Sequence, residues 1–471
     1  MGEMLPVEWE AHASKIANAS DGGLAKAIDE LSHALGVDVS TPAVVWVGRD
    51  TRASSTPLAM AVLDGIGVLR PASARSLGVV TTPQLHFALR CQATAGGYGV
   101  PSLVGYADKL VAAFTALIAP TRLHERGKDL ERYKSRVVVD CANGVGAVAM
   151  GPLAERLSCV DLEVVLANEG SGPLNDGCGA DFVKLKQCQP GGVDTTHLRG
   201  VSLDGDADRI VYYFGGAGRG FRLLDGDRLA LLFAHFLADL LKRSGLAADL
   251  RLGLVQTAYA NGGSTACAVR ALGAGNVLCA KTGVKHCHHA ALVLDVGIYF
   301  EANGHGTILF SDTMVSRTTA AAAGSGEQAA AARQLLLFRD VINEAVGDAI
   351  SNFLAVEAVL RFLDWSCEDW LAMYEDLCNR QVKVVVADRA IFETTDAERV
   401  CVKPEGLQAE IDRLVAAAPS GRAFVRPSGT EDVVRVYAEA ATLEATLALA
   451  QGVVDVVFER AGGVGPRPVV S

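Results

Sequence analysis

The chain has no excess of positive charge. Lys and Arg number 43 against 54 Asp and Glu, a formal net charge of −11. Such a balance excludes broad nucleic-acid binding by phosphate neutralisation and leaves room only for a local basic pocket. There is no disulfide framework either. The eleven cysteines are scattered, odd in number and without a repeating spacing. That excludes a disulfide-stapled secreted scaffold and fits a reduced, cytoplasmic setting. The first residues carry Glu3 and Glu8 instead of a basic n-region and apolar core, so no signal peptide is read there. Met1-Gly2 is followed by Pro6 where a myristoylation signal wants Ser or Thr. No charge-free apolar run approaches the ~18 residues of a membrane span, and no internal repeat is present.

What is there suits a multi-domain α/β protein. Half of the 471 residues are hydrophobic and 49 are glycine. A chain of this length holds roughly three or four domains of about 100–200 residues. Apolar runs at 43–47 and 77–80 predict strands, with helices opening at Ser54 or Ser55 and at Pro83. Strand followed by helix, repeated, predicts βαβ units and a mostly parallel sheet. Further strands are predicted at 136–140, 162–166, 252–256, 277–279 and 296–301. Helices are predicted at 109–125 and 228–242, the latter begun by Asp225 or Asp227. Gly215-Gly216-Ala217-Gly218 reads as a hairpin turn. The Ala-rich stretch 319–333 reads as a helix edge or exposed loop without chemistry. Strands at 382–387, 423–426 and 433–439 with helices at 407–416 and 443–458 predict a compact α+β module. The expected division is 1–108, 109–218, 219–355 and 356–471.

The strongest chemical signal is Asp204-Gly205-Asp206-Ala207-Asp208-Arg209, set between the apolar runs 200–203 and 210–214. This reads as strand, tight loop, strand, with Gly205 permitting the bend. Three carboxylates at alternate positions repel one another, and a divalent cation with oxygen ligands offsets that repulsion. An EF-hand is excluded, because its sixth and twelfth loop positions hold Arg209 and Gly215 instead of Gly and Glu. The competing reading is a solvated acidic turn.

Arg426-Pro427-Ser428-Gly429-Thr430 leaves one strand and enters another. Such a loop points successive backbone N–H groups at an anion, while Ser428 and Thr430 add hydroxyls and Arg426 a planar fork. Strand alternation puts Arg435, Tyr437 and Glu439 on one face, so Arg435 reaches the same anion. The competing reading is an ordinary Pro-Ser-Gly turn. Glu301-Ala302-Asn303-Gly304-His305-Gly306 combines acid, amide and imidazole suited to sugar hydroxyls, or is a plain Asn-Gly hairpin. In the stretch 281–289, Cys287, His286, His288 and His289 match no paired zinc spacing. Lys281 and Lys285 read instead as cations of a phosphate pocket, with His286 a further candidate for that pocket. Arg49-Asp50-Thr51-Arg52 is a salt-bridged turn or a domain contact.

Taken in order, these segments resemble the α-D-phosphohexomutase superfamily and, within it, its eukaryotic phosphoacetylglucosamine mutase branch. The likeness covers essentially the whole chain. It rests on the segments 47–52, 81–86, 140–144, 204–209, 256–262, 281–286, 301–306 and 426–439. It implies four domains around a central cleft: three α/β units with mixed sheets, the first truncated, and a C-terminal α+β domain. It implies interconversion of N-acetylglucosamine 6-phosphate and 1-phosphate in UDP-N-acetylglucosamine biosynthesis, by a cytoplasmic, monomeric phosphoprotein with no nucleic-acid or membrane partner. By the same resemblance, Asp204, Asp206 and Asp208 ligate magnesium, with Arg209 nearby. Glu301, Ala302 and Asn303 select the sugar. Arg426, Pro427, Ser428, Gly429, Thr430 and Arg435 hold the non-transferring phosphate.

One departure stands out. The resemblance implies a phosphoserine in a Ser-His-Asn-Pro loop ahead of all these segments, and the chain has none; Ser32-His33 is followed by Ala34-Leu35 inside a predicted helix. No catalytic residue is therefore assigned. The expectation is a fragment or short isoform, inactive as a mutase on its own and poorly soluble through exposed sheet edge and apolar surface. The alternatives are a non-catalytic sugar-phosphate-binding paralogue and a metal-dependent phosphatase.

Overall fold

A computed structural model describes residues 9–20, 23–36, 38, 40–69, 72–121, 130–195, 198–215, 220–429 and 431–471. The chain divides into two units, 1–80 and 81–471.

In the first unit, helices Trp9–Ala17 and Leu24–Leu35 pair, with Lys15 bridging to Glu30 at 3.1 Å. β1 (Val44–Arg49), helix Ser55–Val68 and β2 (Ser73–Val79) form one βαβ turn with parallel pairing. β2 starts earlier than its apolar run, because Val44 pairs with Ser73 and the ladder extends the strand through polar residues. Two strands bury little. Val44, Leu58 and Met60 stay 55%, 62% and 59% exposed, as a sheet this small cannot cover its own faces.

The second unit opens on helix Thr82–Ala93. Thr81 and Gln84 form a reciprocal capping box there, with Pro83 in the first turn. The next helix is Leu103–Ile118, earlier than the 109–125 expected, because the Ser102 hydroxyl caps it by accepting from the Gly105 N–H at 3.0 Å; 122–125 lies outside the described residues. This helix and its extension to Thr121 are long and apolar enough to cross a membrane by length and composition, although Asp108 and Lys109 interrupt it, so it is no charge-free run. It packs on helices Gly326–Val341 and Ala349–Leu363, burying Leu110, Phe114, Leu117 and Ile118.

A five-stranded mixed sheet follows, ordered β4 (Glu163–Ala167), β3 (Arg136–Asp140), β5 (Arg199–Leu203), β6 (Ile210–Phe214) and β7 (Arg222–Leu224). β3, β4 and β5 are parallel, while β6 and β7 run antiparallel to their neighbours. The β6–β7 hairpin is as expected, although 216–219 lie outside the described residues. The carboxyl ends of β3 and β5 place Asp140 and the acidic loop on the same edge, where ligands of open α/β sheets gather.

The second sheet is ordered β11 (Gly306–Phe310), β10 (Val296–Phe300), β8 (Leu252–Thr257) and β9 (Val277–Ala280), parallel except for β11. Helix Gly226–Arg243, capped by Asp225 as expected, packs against β8 and β10. Of its two readings, the Ala-rich stretch takes the helical one apart from the turn at 323–325. It lies in helices Asp312–Ala322 and Gly326–Val341, and Ala329, Ala331 and Ala332 are buried. Their small side chains let the second helix approach helices 103–118 and 226–243 closely.

Helix Ala349–Leu363 has 13 of its 15 residues buried. It touches both sheets: Glu357 accepts from Arg199 Nε at 3.0 Å, and Asn352 donates to the Gly306 carbonyl at 2.9 Å. The expected boundary at 355/356 falls inside this helix, and that at 108/109 inside helix 103–118. A helix buried all round carries no amphipathic stripe to mark where one unit ends.

The C-terminal module is an antiparallel sheet ordered β12 (Cys378–Val385), β16 (Val433–Ala440) and β15 (Arg422–Pro427), with helices Leu407–Ala417 and Leu443–Arg460 sharing its core. A small hairpin, β13 (Glu393–Thr395) and β14 (Val400–Lys403), was not anticipated. The fold class is as expected: α/β units with mixed sheets, the first small, and a C-terminal α+β module.

Candidate functional site

The acidic loop joins β5 to β6. Asp204, Asp206 and Asp208 each offer an oxygen, and these atoms lie within 4.8 Å of one another. The left-handed residue is Ala207, at φ 58°, and not Gly205. Gly205 serves close approach instead: its carbonyl accepts from the Val145 N–H at 3.1 Å, and a Cβ on Gly144 would strike it. The neighbouring turn is held by the fully buried Asp140, which accepts from Ala142 N, Gly179 N, Asn168 Nδ2 and Ser202 Oγ at 2.6–3.0 Å.

Electrostatically the trio is unfinished. Burial, then the charges of Asp208 and Asp206, push the Asp204 carboxyl well above the usual range. Burial also raises Asp208, against the opposing pull of His305. Asp204 Oδ1 accepts from the Asp208 and Arg209 N–H groups at 2.9 and 3.0 Å, and Asp206 accepts from the Thr82 hydroxyl at 2.6 Å. Asp208 Oδ1 is buried without a hydrogen-bond partner. Arg209 ion-pairs with Asp181 at 2.8 Å and stands 3.9 and 3.7 Å from Asp204 and Asp208. An orphaned oxygen in a three-carboxylate cradle fits a hard dication. Among the described residues no other cluster has this form, so the histidines at 286–289 build no metal site.

The loop 301–306 lies against the acidic loop. Residues Arg209 and His305 form a β-bridge, Ile210 N donates to the Gly304 carbonyl at 3.3 Å, and a Cβ on Gly304, at φ 88°, would strike the Ile210 carbonyl. His305 Nδ1 is 3.6 Å from Asp208. Glu301 Oε1 accepts from the Gly283 N–H at 3.0 Å. Asn303 Oδ1 accepts from the His305 N–H at 3.0 Å, and the Ala302 carbonyl from the Gly226 N–H. Lys281, Lys285 and His286 are exposed beside Gly283, at the start of helix Val284–Ala291.

In the C-terminal module, Arg426 and Arg435 stand directly opposite each other on β15 and β16. The Arg435 Nε is buried without a hydrogen-bond partner. Pro427 ends β15, Ser428 is buried and Gly429 exposed, and Thr430 lies outside the described residues. The expected run of anion-facing N–H groups is incomplete, because Ser428 N donates to the Val433 carbonyl at 2.9 Å to continue the ladder.

Sequence reasoning missed Glu398. It is the carboxylate that joins these parts: it accepts from the Thr282 N–H and hydroxyl at 2.9 and 2.5 Å, and from Arg426 Nε at 3.0 Å. Asp208, His305, Glu301, Gly283, Thr282, Glu398 and Arg426 thus form a continuous path from acidic loop to arginine pair. Thr82, which holds Asp206, sat in the segment 81–86 without a role of its own.

The family model for phosphoacetylglucosamine mutase AMG1, domain III, matches residues 225–365, and that for the phosphoglucomutase/phosphomannomutase C-terminal domain matches 382–456. Phosphoacetylglucosamine mutase of Sus scrofa is 46% identical over 99% of this chain and 85% of its own length, and that of Homo sapiens 45% over the same shares. A crystal structure of Aspergillus fumigatus N-acetylphosphoglucosamine mutase in complex with GlcNAc-6P and magnesium superposes with a TM-score of 0.86. It is 45% identical and covers 97% of this chain and 84% of that one. With like identity along nearly its whole length, the chain belongs to the phosphoacetylglucosamine mutase family.

Proposed function

We propose that residues 81–471 bind magnesium and an N-acetylglucosamine phosphate, as part of the interconversion of its 6- and 1-phosphates that supplies UDP-N-acetylglucosamine synthesis. The observation that carries this reading is the continuous path from three carboxylates, past Glu301, to the opposed arginines. Asp204, Asp206 and Asp208 would hold the cation. When bound, magnesium neutralises the trio and the charge on a phosphoryl group at its edge. Arg426 and Arg435 clamp the far phosphate with the hydroxyls of Ser428 and Thr430, on a loop shaped by Pro427 and Gly429. Two forks on one dianion are a strong, charge-assisted contact. Glu301 and Asn303, with Ala302 between them, read the sugar, and Lys281 and Lys285 add positive potential, with His286 beside them. Phosphoryl transfer needs mostly positioning and charge neutralisation, and a clamp apart from the metal lets either end of the sugar present. All eleven cysteines are free, which supports a reduced, cytoplasmic setting.

A second reading has its own support. No Ser-His-Asn-Pro run occurs between Met1 and Ser471, so these residues would bind the sugar phosphate without carrying a phosphoryl group themselves. Binding and turnover are therefore tested apart. Calorimetry with N-acetylglucosamine 6-phosphate and magnesium should show saturable binding that Arg435→Ala weakens. A folded chain with no heat of binding would overturn the proposal. Turnover of the bound ligand, followed by phosphorus NMR, would overturn the second reading.

A further inference from the structure

We propose that Glu398 is a positioning residue that couples the phosphate clamp to the sugar-reading loop, an inference that rests on the reading of the site just given. Glu398 sits in the β13–β14 turn, where Asp396, Ala397 and Glu398 are all left-handed, at φ 51°, 53° and 70°. Three consecutive non-glycine residues in that region are costly, and such backbone persists only where its surroundings over-determine it. The turn is braced from within by Arg399, which bonds the Asp396 carboxylate and carbonyl at 2.6 and 3.1 Å.

The carboxylate it delivers is divided between two parts of the fold. Oε2 takes both the N–H and the hydroxyl of Thr282, 116 positions away, and Oε1 takes Arg426 Nε. The next residue after Thr282 donates its N–H to Glu301. One side chain thus fixes the angle of the Arg426 fork and the placement of the peptide that holds the sugar-reading acid. Arg426 needs such a partner, since Arg435 faces it directly and like charges opposite each other in a sheet are destabilising. Glu398 engages Nε, not the Nη1–Nη2 edge, and the trio of side chains keeps one net positive charge to attract phosphate. A residue that only balanced charge would affect every phosphate ligand alike. One that links clamp and loop affects the ligand that uses both.

The test compares Glu398→Gln, which keeps shape and loses charge, with Thr282→Val, which removes only the hydroxyl. Binding of inorganic phosphate, glucose 6-phosphate and N-acetylglucosamine 6-phosphate is measured by calorimetry, with melting curves to verify folding. We expect N-acetylglucosamine 6-phosphate to weaken about tenfold in Glu398→Gln, inorganic phosphate to change by less than about threefold, and the preference over glucose 6-phosphate to shrink. A cycle with Glu301→Ala should be non-additive, as for groups in one network. Equal loss for all three ligands, or none, would overturn the role of Glu398. Failure of the unmodified protein to bind either sugar phosphate would instead overturn the proposed function.

Discussion

The two ends of the β15–β16 ladder carry arginine for opposite purposes. At one end Arg422 faces Glu439; four residues on, Arg426 faces Arg435. The first pair is complete. Glu439 is 1% exposed and accepts from Arg422 Nε at 2.8 Å, Gly262 N at 3.1 Å and the Tyr437 hydroxyl at 2.8 Å. Arg422 then donates to the Ala258 and Ala260 carbonyls at 2.7 and 2.6 Å, docking the module on the loop after β8. The second pair is incomplete, with like charges opposed and a buried Nε left over. A satisfied charge network holds a fold together; an unsatisfied one on the same strands is a place for a ligand.

The sharpest way to break that contrast is Glu439→Ala. It removes at once the buried acceptor shared by Arg422, the Gly262 N–H and the Tyr437 hydroxyl and should cost about 3–5 kcal/mol in chemical denaturation; a cost near zero would show that the satisfied end does not hold the module. Asp208→Asn should abolish the stabilisation by magnesium, about 2.7 kcal/mol at a hundredfold excess over Kd, read as a lost shift in melting temperature. Arg435→Ala should leave melting unchanged or slightly raised while weakening sugar-phosphate binding about 10- to 100-fold by calorimetry. A fall in stability matching that of Glu439→Ala would erase the distinction.

The most graded test is pH. Asp227 lies beside the satisfied end, accepting from the Asn261 N–H at 2.8 Å. Burial, helped by the charge of Asp225, raises its carboxyl to about 7. The folded state therefore holds a proton that the unfolded chain releases near pH 4, so stability falls as pH rises from about 4 to about 7 and then levels. Asp227→Asn should remove up to about 1.4 kcal/mol per pH unit of that slope. Parallel stability–pH curves for the two proteins would refute it.

Much of the site was legible because its parts are local. Aspartates at alternate positions between two apolar runs converge in one loop wherever that loop sits, and Arg426 and Arg435 flank one turn of a hairpin. The Pro83 helix start and the Asp225 cap follow from neighbouring residues alone. Helix 349–363 was missed for the converse reason. It is buried nearly all round, polar Ser351, Asn352, Glu357 and Arg361 included, so no apolar stripe distinguishes it, and the Ala-rich segment looked bland because alanine shows its use only against a close neighbour.

The sequence by itself determined which groups could bind a dication and an anion, since charge and spacing within a loop are properties of a few adjacent residues. Only the tertiary structure decided that Glu398 lies between Thr282 and Arg426, that Ala207 and not Gly205 takes the left-handed turn, and that acidic loop and arginine pair belong to one connected site. Those outcomes depend on contacts between residues far apart in the chain. Such contacts exist only after packing has set register and burial, and they leave no mark on the local pattern.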